Sequence, residues 1–161
     1  MAAGDPVFGT RTALANISRL HSDTNGLATA FGEIDNNTTP KGDYHIHIVV
    51  PISSSATTGT YDLYLVESQD GAEWTDNIDP ATDSDYADFV KDARLVASSP
   101  TVYDNSPTGA RVEVEFHFKV GEIVGWPAPP YFGFVLVNKS GQTIPASGAD
   151  GDSMSIGVAS S

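Results

Sequence analysis

The sequence predicts an all-β fold, an antiparallel sandwich or barrel of about seven to nine short strands. Three observations carry this. Residues 111–120 alternate without a break, with Val112, Val114, Phe116, Phe118 and Val120 on one side and Arg111, Glu113, Glu115, His117 and Lys119 on the other. Only a period of two explains that pattern. The run Phe132-Gly133-Phe134-Val135-Leu136-Val137 then gives way to Asn138-Lys139-Ser140-Gly141, which reads as a late strand entering a tight turn. Elsewhere Gly, Pro, Asn and Asp separate one short apolar run from the next, as strand-and-turn folds require.

Taken in order, residues 1–10 form a flexible amino-terminal arm, because Gly4, Pro6 and Gly9 resist regular structure. Residues 11–161 form a single domain. Arg11–Leu20 and Leu27–Ile34 read as two strands around Thr24-Asn25-Gly26, Asn-Gly being the strongest short hairpin signal. Leu14, Ile17 and Leu20 also recur at helical spacing, so a helix over residues 12–20 stays open. Tyr44–Val50 places Tyr44, Ile46, Ile48 and Val50 against His45, His47 and Val49, and Pro51 ends it. Tyr61–Ser68 places Tyr61, Leu63 and Leu65 against Asp62, Tyr64 and Val66, and Asp70-Gly71 closes it. Residues 69–92 are too long for an ordinary hairpin loop. Arg94–Ala97, Arg111–Val120 and Met154–Val158 supply further strands. No period of roughly 20–50 residues recurs, so a solenoid or propeller is not expected.

Composition narrows the function. A chain of 161 residues buries about 70% of its unfolded surface as one domain. With no Cys, disulfides, thiolate metal sites and cysteine nucleophiles are excluded. The amino end has no basic head followed by an apolar run, and no window approaches the roughly 18 apolar residues of a membrane span. Neither export nor a membrane partner is therefore expected, and the sequons Asn16-Ile17-Ser18 and Asn138-Lys139-Ser140 are read as chance. Twenty-one acids against eight bases give a net charge of −13. That charge repels phosphate and argues against nucleic acid as a partner, although solubility alone accounts for it equally well.

Chemistry-bearing constellations are few. The long acidic loop holds Asp70, Glu73, Asp76, Asp79, Asp83, Asp85, Asp88 and Asp92 against Lys91. Clustered carboxylates suit a hard cation, but the calcium-loop spacing is missing and a solvated loop is the simpler reading. His45 and His47 share a strand face, and His117 is the available third ligand. The Gly and Glu spacings of a cupin metal motif are absent, however, so solvent-facing or interface histidines are expected, with no metal and no cofactor. There is no G-x-S-x-G, H-E-x-x-H, P-loop or dinucleotide pattern. Acids such as Glu113 and Glu115 sit on an outward strand face, where carboxylates are usually just solvated. No catalytic residue is assigned and no enzyme activity is expected.

Trp74 and Trp126 lie outside the clear strands, where an exposed indole anchors a protein partner or stacks on a sugar. For Trp126, within Gly125-Trp126-Pro127-Ala128-Pro129-Pro130, a plug over one end of the sandwich is a further reading.

The phrases Leu27–Thr39 (LATAFGEIDNNTT), Tyr64–Trp74 (YLVESQDGAEW) and Leu136–Gly148 (LVNKSGQTIPASG) together resemble a recurring set of bacteriophage virion proteins, in which they occur in this order. The resemblance spans roughly residues 11–150. It rests on strand-and-turn phrases rather than catalytic signatures. It implies a jelly-roll-like antiparallel sandwich and a capsid decoration (cement) protein, made in the host cytoplasm and bound to the outer capsid in many copies. Its implied partners are the major capsid protein and further copies of itself, as a homotrimer or homodimer. A tail or neck component of the same fold and a virion glycan-binding module are the alternatives. The candidate capsid or subunit interface comprises Phe8, as apolar anchor of an arm that adds a strand to a neighbour, with Arg11, Trp74, Trp126 and Tyr131.

Overall fold

The computed structural model describes residues 14–20, 24–38, 44–53, 59–82, 92–99, 113–125, 127–145 and 157–160. Among these residues the strands are β1 (Ala28–Asp35), β2 (Tyr44–Pro51), β3 (Thr60–Ser68), β4 (Arg94–Ser98), β5 (Glu113–Lys119), β6 (Tyr131–Lys139) and β7 (Gly157–Ser160), with one short α-helix, α1 (Val120–Val124), and 3-10 turns at Ile17–Leu20 and Thr75–Asn77. They make two antiparallel sheets, a four-stranded one in the order β1-β6-β3-β4 and a three-stranded one in the order β5-β2-β7. The all-β expectation is met.

One hydrophobic core joins the sheets. Phe31, Leu63, Leu65, Phe132, Phe134 and Leu136 from the first meet Ile46, Ile48, Val50, Val114 and Phe116 from the second. Edge-on ring contacts cross between them, Tyr44 to Phe132 at 5.1 Å and Phe118 to Phe134 at 5.7 Å, the arrangement that aromatic quadrupoles favour. The alternation read from Tyr44–Val50 holds, since Ile46, Ile48 and Val50 are fully buried while His45 and His47 are only partly so. In β5, Val114 and Phe116 are buried while Glu115, His117 and Lys119 are exposed.

The amino-terminal hairpin is not formed. Ile17–Leu20 is a 3-10 helix, entered through Asn16 at φ 58°, and it lies against β1. Of the residues at helical spacing, Ile17 and Leu20 lie in this single turn while Leu14 precedes the break at Asn16, and Leu14 and Leu20 are both in the core. The Asn25-Gly26 turn does form, with Gly26 at φ 89° and the Leu27 amide donating to the Thr24 carbonyl. It leads into β1 from that turn of helix instead of from a strand.

Two strand ends also differ from expectation. Residues 138–139, read as turn, continue β6 and pair with Thr60 and Tyr61. The reversal falls two residues later, at Ser140, where the buried Asn138 side chain accepts from the Ser140 amide and hydroxyl and donates to the Gln142 carbonyl. Val120, read as the last residue of β5, starts α1 while keeping its side chain buried. The arm and Arg11 lie outside the described residues.

Candidate functional site

The four-stranded sheet has a second covered face. Ala28, Ala30, Val66 and Val135 lie under Trp74 and Ile78, which come from the segment after β3. That segment leaves β3 through a turn built by Asp70. Its carboxylate accepts from the backbone amides of Glu73 (3.0 Å) and Ala72 (2.9 Å) and from the Ser68 hydroxyl, and these bonds hold its pKa below the usual 3.8. Trp74 then makes an isolated bridge to Ser68 and donates from Nε1 to the Gly71 carbonyl at 3.2 Å.

Trp74 is therefore buried, 6% exposed, and is not the exposed anchor that its place outside the strands suggested. Its bicyclic ring covers Val66 and Val135, which a loop of small polar residues alone leaves wet. Tyr131 is half-buried over Gly71, where an added Cβ meets its ring at 3.2 Å. Trp126 and Phe8, like Arg11, fall outside the described residues, so of the five candidate interface residues only Trp74 and Tyr131 are placed, and both pack in the same hydrophobic cluster.

The described parts of the acidic loop, residues 69–82 and Asp92, are pinned by hydrogen bonds. Arg19 donates from Nη1 to the carbonyls of Ala30 and Pro80 and from Nη2 to that of Ala81 at 2.7 Å. Pro80 packs directly on β6 at Gly133, where a Cβ would come within 2.4 Å of the proline ring. Asp79 accepts from the Ala81 amide and the Thr82 hydroxyl. Asp76, at φ 58°, reaches the amides of Asp92 and Ala93 and so joins the far end of the loop to its start. Of the acids that looked like cation ligands, Asp70, Asp76 and Asp79 are thus used as acceptors for backbone N–H groups. Sequence reasoning missed Arg19, whose only signal was a cation among Ile17, Leu20 and Leu14 in a chain short of bases.

An open cleft of about 670 Å³ runs beside Trp74, lined by Glu67, Asp70, Glu73, Asn77 and Asp79. Its wall is strongly anionic. Nearby, Glu33 is pushed above its usual 4.5 first by burial and then by the charges of Asp79 and Asp35. Among the described residues, no group of three or more His, Asp or Glu side chains converges on one point to hold a metal.

At the other end of the same face, Lys139 Nζ donates to Asp62 Oδ2 at 2.5 Å. Asp62 is 6% exposed. Burial acts to raise its pKa, but the bonds from Lys139, Ser98 and Thr60 and the lysine charge outweigh it, and the net direction is down. Lys139 is shifted up, chiefly by that bond.

The outer face of the three-stranded sheet carries the histidines. His47 and His117 are register partners across β2 and β5, with ring centroids 5.7 Å apart and planes at 64°. The Nε2 atom of His47 lies 3.4 Å from Glu115 Oε2. His45 belongs to the next position along β2, opposite Lys119. The two histidines of one strand therefore face different partners.

Of the sequons, Asn138 is fully buried with its amide bonded at both ends, so it is closed to a glycan. No helix among the described residues is long and apolar enough to cross a membrane. No family model, curated protein or solved structure matches the chain.

Proposed function

We propose that this chain is a bacteriophage capsid decoration protein, a jelly-roll-like sandwich that binds the outer capsid in many copies and clamps neighbouring capsid subunits noncovalently. One observation carries the reading. The described parts of the three phrases of the resemblance, residues 27–39, 64–74 and 136–148, lie on or directly after β1, β3 and β6, which are neighbours in one sheet in the order β1-β6-β3, and this shared sheet supports reading them as one set.

The charge supports an outward position. A net charge of −13 is repelled by packaged nucleic acid and tolerated on a solvent-facing shell. Clamping needs no chemistry. Each copy buries apolar and hydrogen-bonding surface across a subunit joint, and every copy bound only to the closed shell shifts the equilibrium away from opening. The partners are the major capsid protein and other copies of this chain. The burial of Trp74 removes one of the two indoles on which glycan stacking rested.

Cryo-electron microscopy of particles with and without the protein tests the reading. Density at hundreds of symmetry-related outer positions is the expected result. Density confined to the tail or neck, or no density on the particle, overturns it.

A further inference from the structure

We propose that His47 and His117 form a two-histidine clamp for a divalent transition-metal ion such as Zn²⁺, on the outer face of the three-stranded sheet. The inference does not depend on the capsid reading. It starts from register, since antiparallel pairing of β2 with β5 places His47 directly opposite His117, on the face turned away from the core. Their backbones are fixed from behind. Ile46 and Ile48, which flank His47, are fully buried, and Phe116 beside His117 is 4% exposed. Two ligands on a rigid sheet lose little freedom when an ion binds both.

The spacing suits the ion. Zinc binds imidazole nitrogen at about 2.0–2.1 Å in tetrahedral geometry, which sets two ligating rings with their centroids on the order of 5 Å apart. The observed 5.7 Å lies within a small side-chain rotation of that value. Glu115 supplies an oxygen 3.4 Å from His47 Nε2. On binding it gives up that contact and stays as a neighbouring anion, with water completing the sphere. Imidazole ligands select zinc, copper and nickel over calcium and magnesium.

The surroundings favour a cation at this end of the face. Glu113 and Glu115 on β5 oppose the single charge of Lys119, which pairs with His45. On the other side of β2, His47 lies opposite Gly157, a residue with no side chain to cover the ring. His45, opposite Lys119 in the register and not His117, is outside the clamp, which makes it an internal control.

Calorimetric titration of the full chain with ZnCl₂ near neutral pH tests the site, with the melting temperature as a second readout. The expected result is saturable binding and a rise in Tm with zinc, because the two histidines are juxtaposed only in the folded chain. His47→Ala and His117→Ala each weaken binding about tenfold or more, as loss of one arm of a chelate requires, while His45→Ala leaves it unchanged. His117→Gln, which keeps a polar side chain on the exposed strand, gives the same loss if the alanine variant folds poorly. No saturable binding up to about 1 mM zinc, or binding that survives both substitutions, overturns the proposal.

Discussion

The Tyr44 hydroxyl, on β2, donates a 2.6 Å hydrogen bond to Oδ1 of Asn36, the residue that follows β1. Asn36 is 4% exposed, and its amide donates to the carbonyls of Ala128 and Pro129 while its backbone N–H donates to that of Pro130. One asparagine therefore ties together a strand from each sheet and the proline-rich entry to β6. Burial first, and the Asp35 charge second, push the Tyr44 phenol above its usual 10.0, so it remains a donor through neutral pH. Asn36→Ala leaves a buried hydroxyl and two carbonyls without this partner and is expected to cost about 3 kcal/mol. Tyr44→Phe, which orphans a single acceptor, costs about 1 kcal/mol. Urea unfolding of the two variants gives the order.

Gly133 has no room for a methyl group. Its Cβ would lie 2.4 Å from Pro80, so Gly133→Ala is expected to lift the loop at residues 78–82 off β6 at a cost of about 1–3 kcal/mol. The readout is Trp74 fluorescence in a Trp126→Phe background. A red shift reports the indole entering water, and Arg19→Ala, which cuts the bonds to Pro80 and Ala81, produces the same shift.

Thr29 is fully buried, and its hydroxyl has no hydrogen-bond partner among the described residues. Thr29→Val keeps the β-branched shape and removes the unsatisfied oxygen. It is expected to stabilise the fold by about 1 kcal/mol, seen as a higher urea midpoint with an unchanged slope.

The Asp62–Lys139 pair has a defined pH window. Asp62 is shifted below 3.8, so its contribution is present above that value and is lost as pH falls through the lower, folded one. Lys139 is shifted above 10.5, so its contribution is full below that value and is lost as pH rises through the higher, folded one. Lys139 is half exposed, so the pair is worth about 1 kcal/mol or less. Stability curves of the parent and Asp62→Asn are expected to run apart between the two limits and to converge at acid pH.

Glu33 has the opposite sign. Its pKa is raised by burial and by Asp79 and Asp35, so its ionised form is disfavoured in the fold and stability falls as pH rises past 4.5. Glu33→Gln is expected to raise Tm at neutral pH, with the difference shrinking toward pH 4.

Much of the frame was legible in the sequence. Alternation at Tyr44–Val50 and in β5, and the apolar run of β6, each mark a strand with at least one face in the core, because a pleated chain can bury only every second side chain on one side. The turn at Asn25-Gly26 and the reversal after Asp70 follow from residue types that tolerate positive φ or accept local backbone bonds. These signals are local, and they survive folding unchanged. The sequence also set the acidic charge and excluded cysteine chemistry.

What only the tertiary structure decided is what depends on partners distant in the chain. Trp74 is buried because a second face of the four-stranded sheet needs a cover, which its flanking residues do not announce. Ile17–Leu20 is a single helical turn against β1, entered through a positive φ at Asn16 that the spacing of its apolar residues does not announce. Arg19 and Asn36 became clamps because the carbonyls they hold lie at Pro80, Ala81, Ala128 and Pro129, and His47 met His117 only through the register of β2 with β5. Hydrogen bonds and ring contacts of this kind are set by strand pairing, and pairing is a property of the folded chain rather than of any stretch within it.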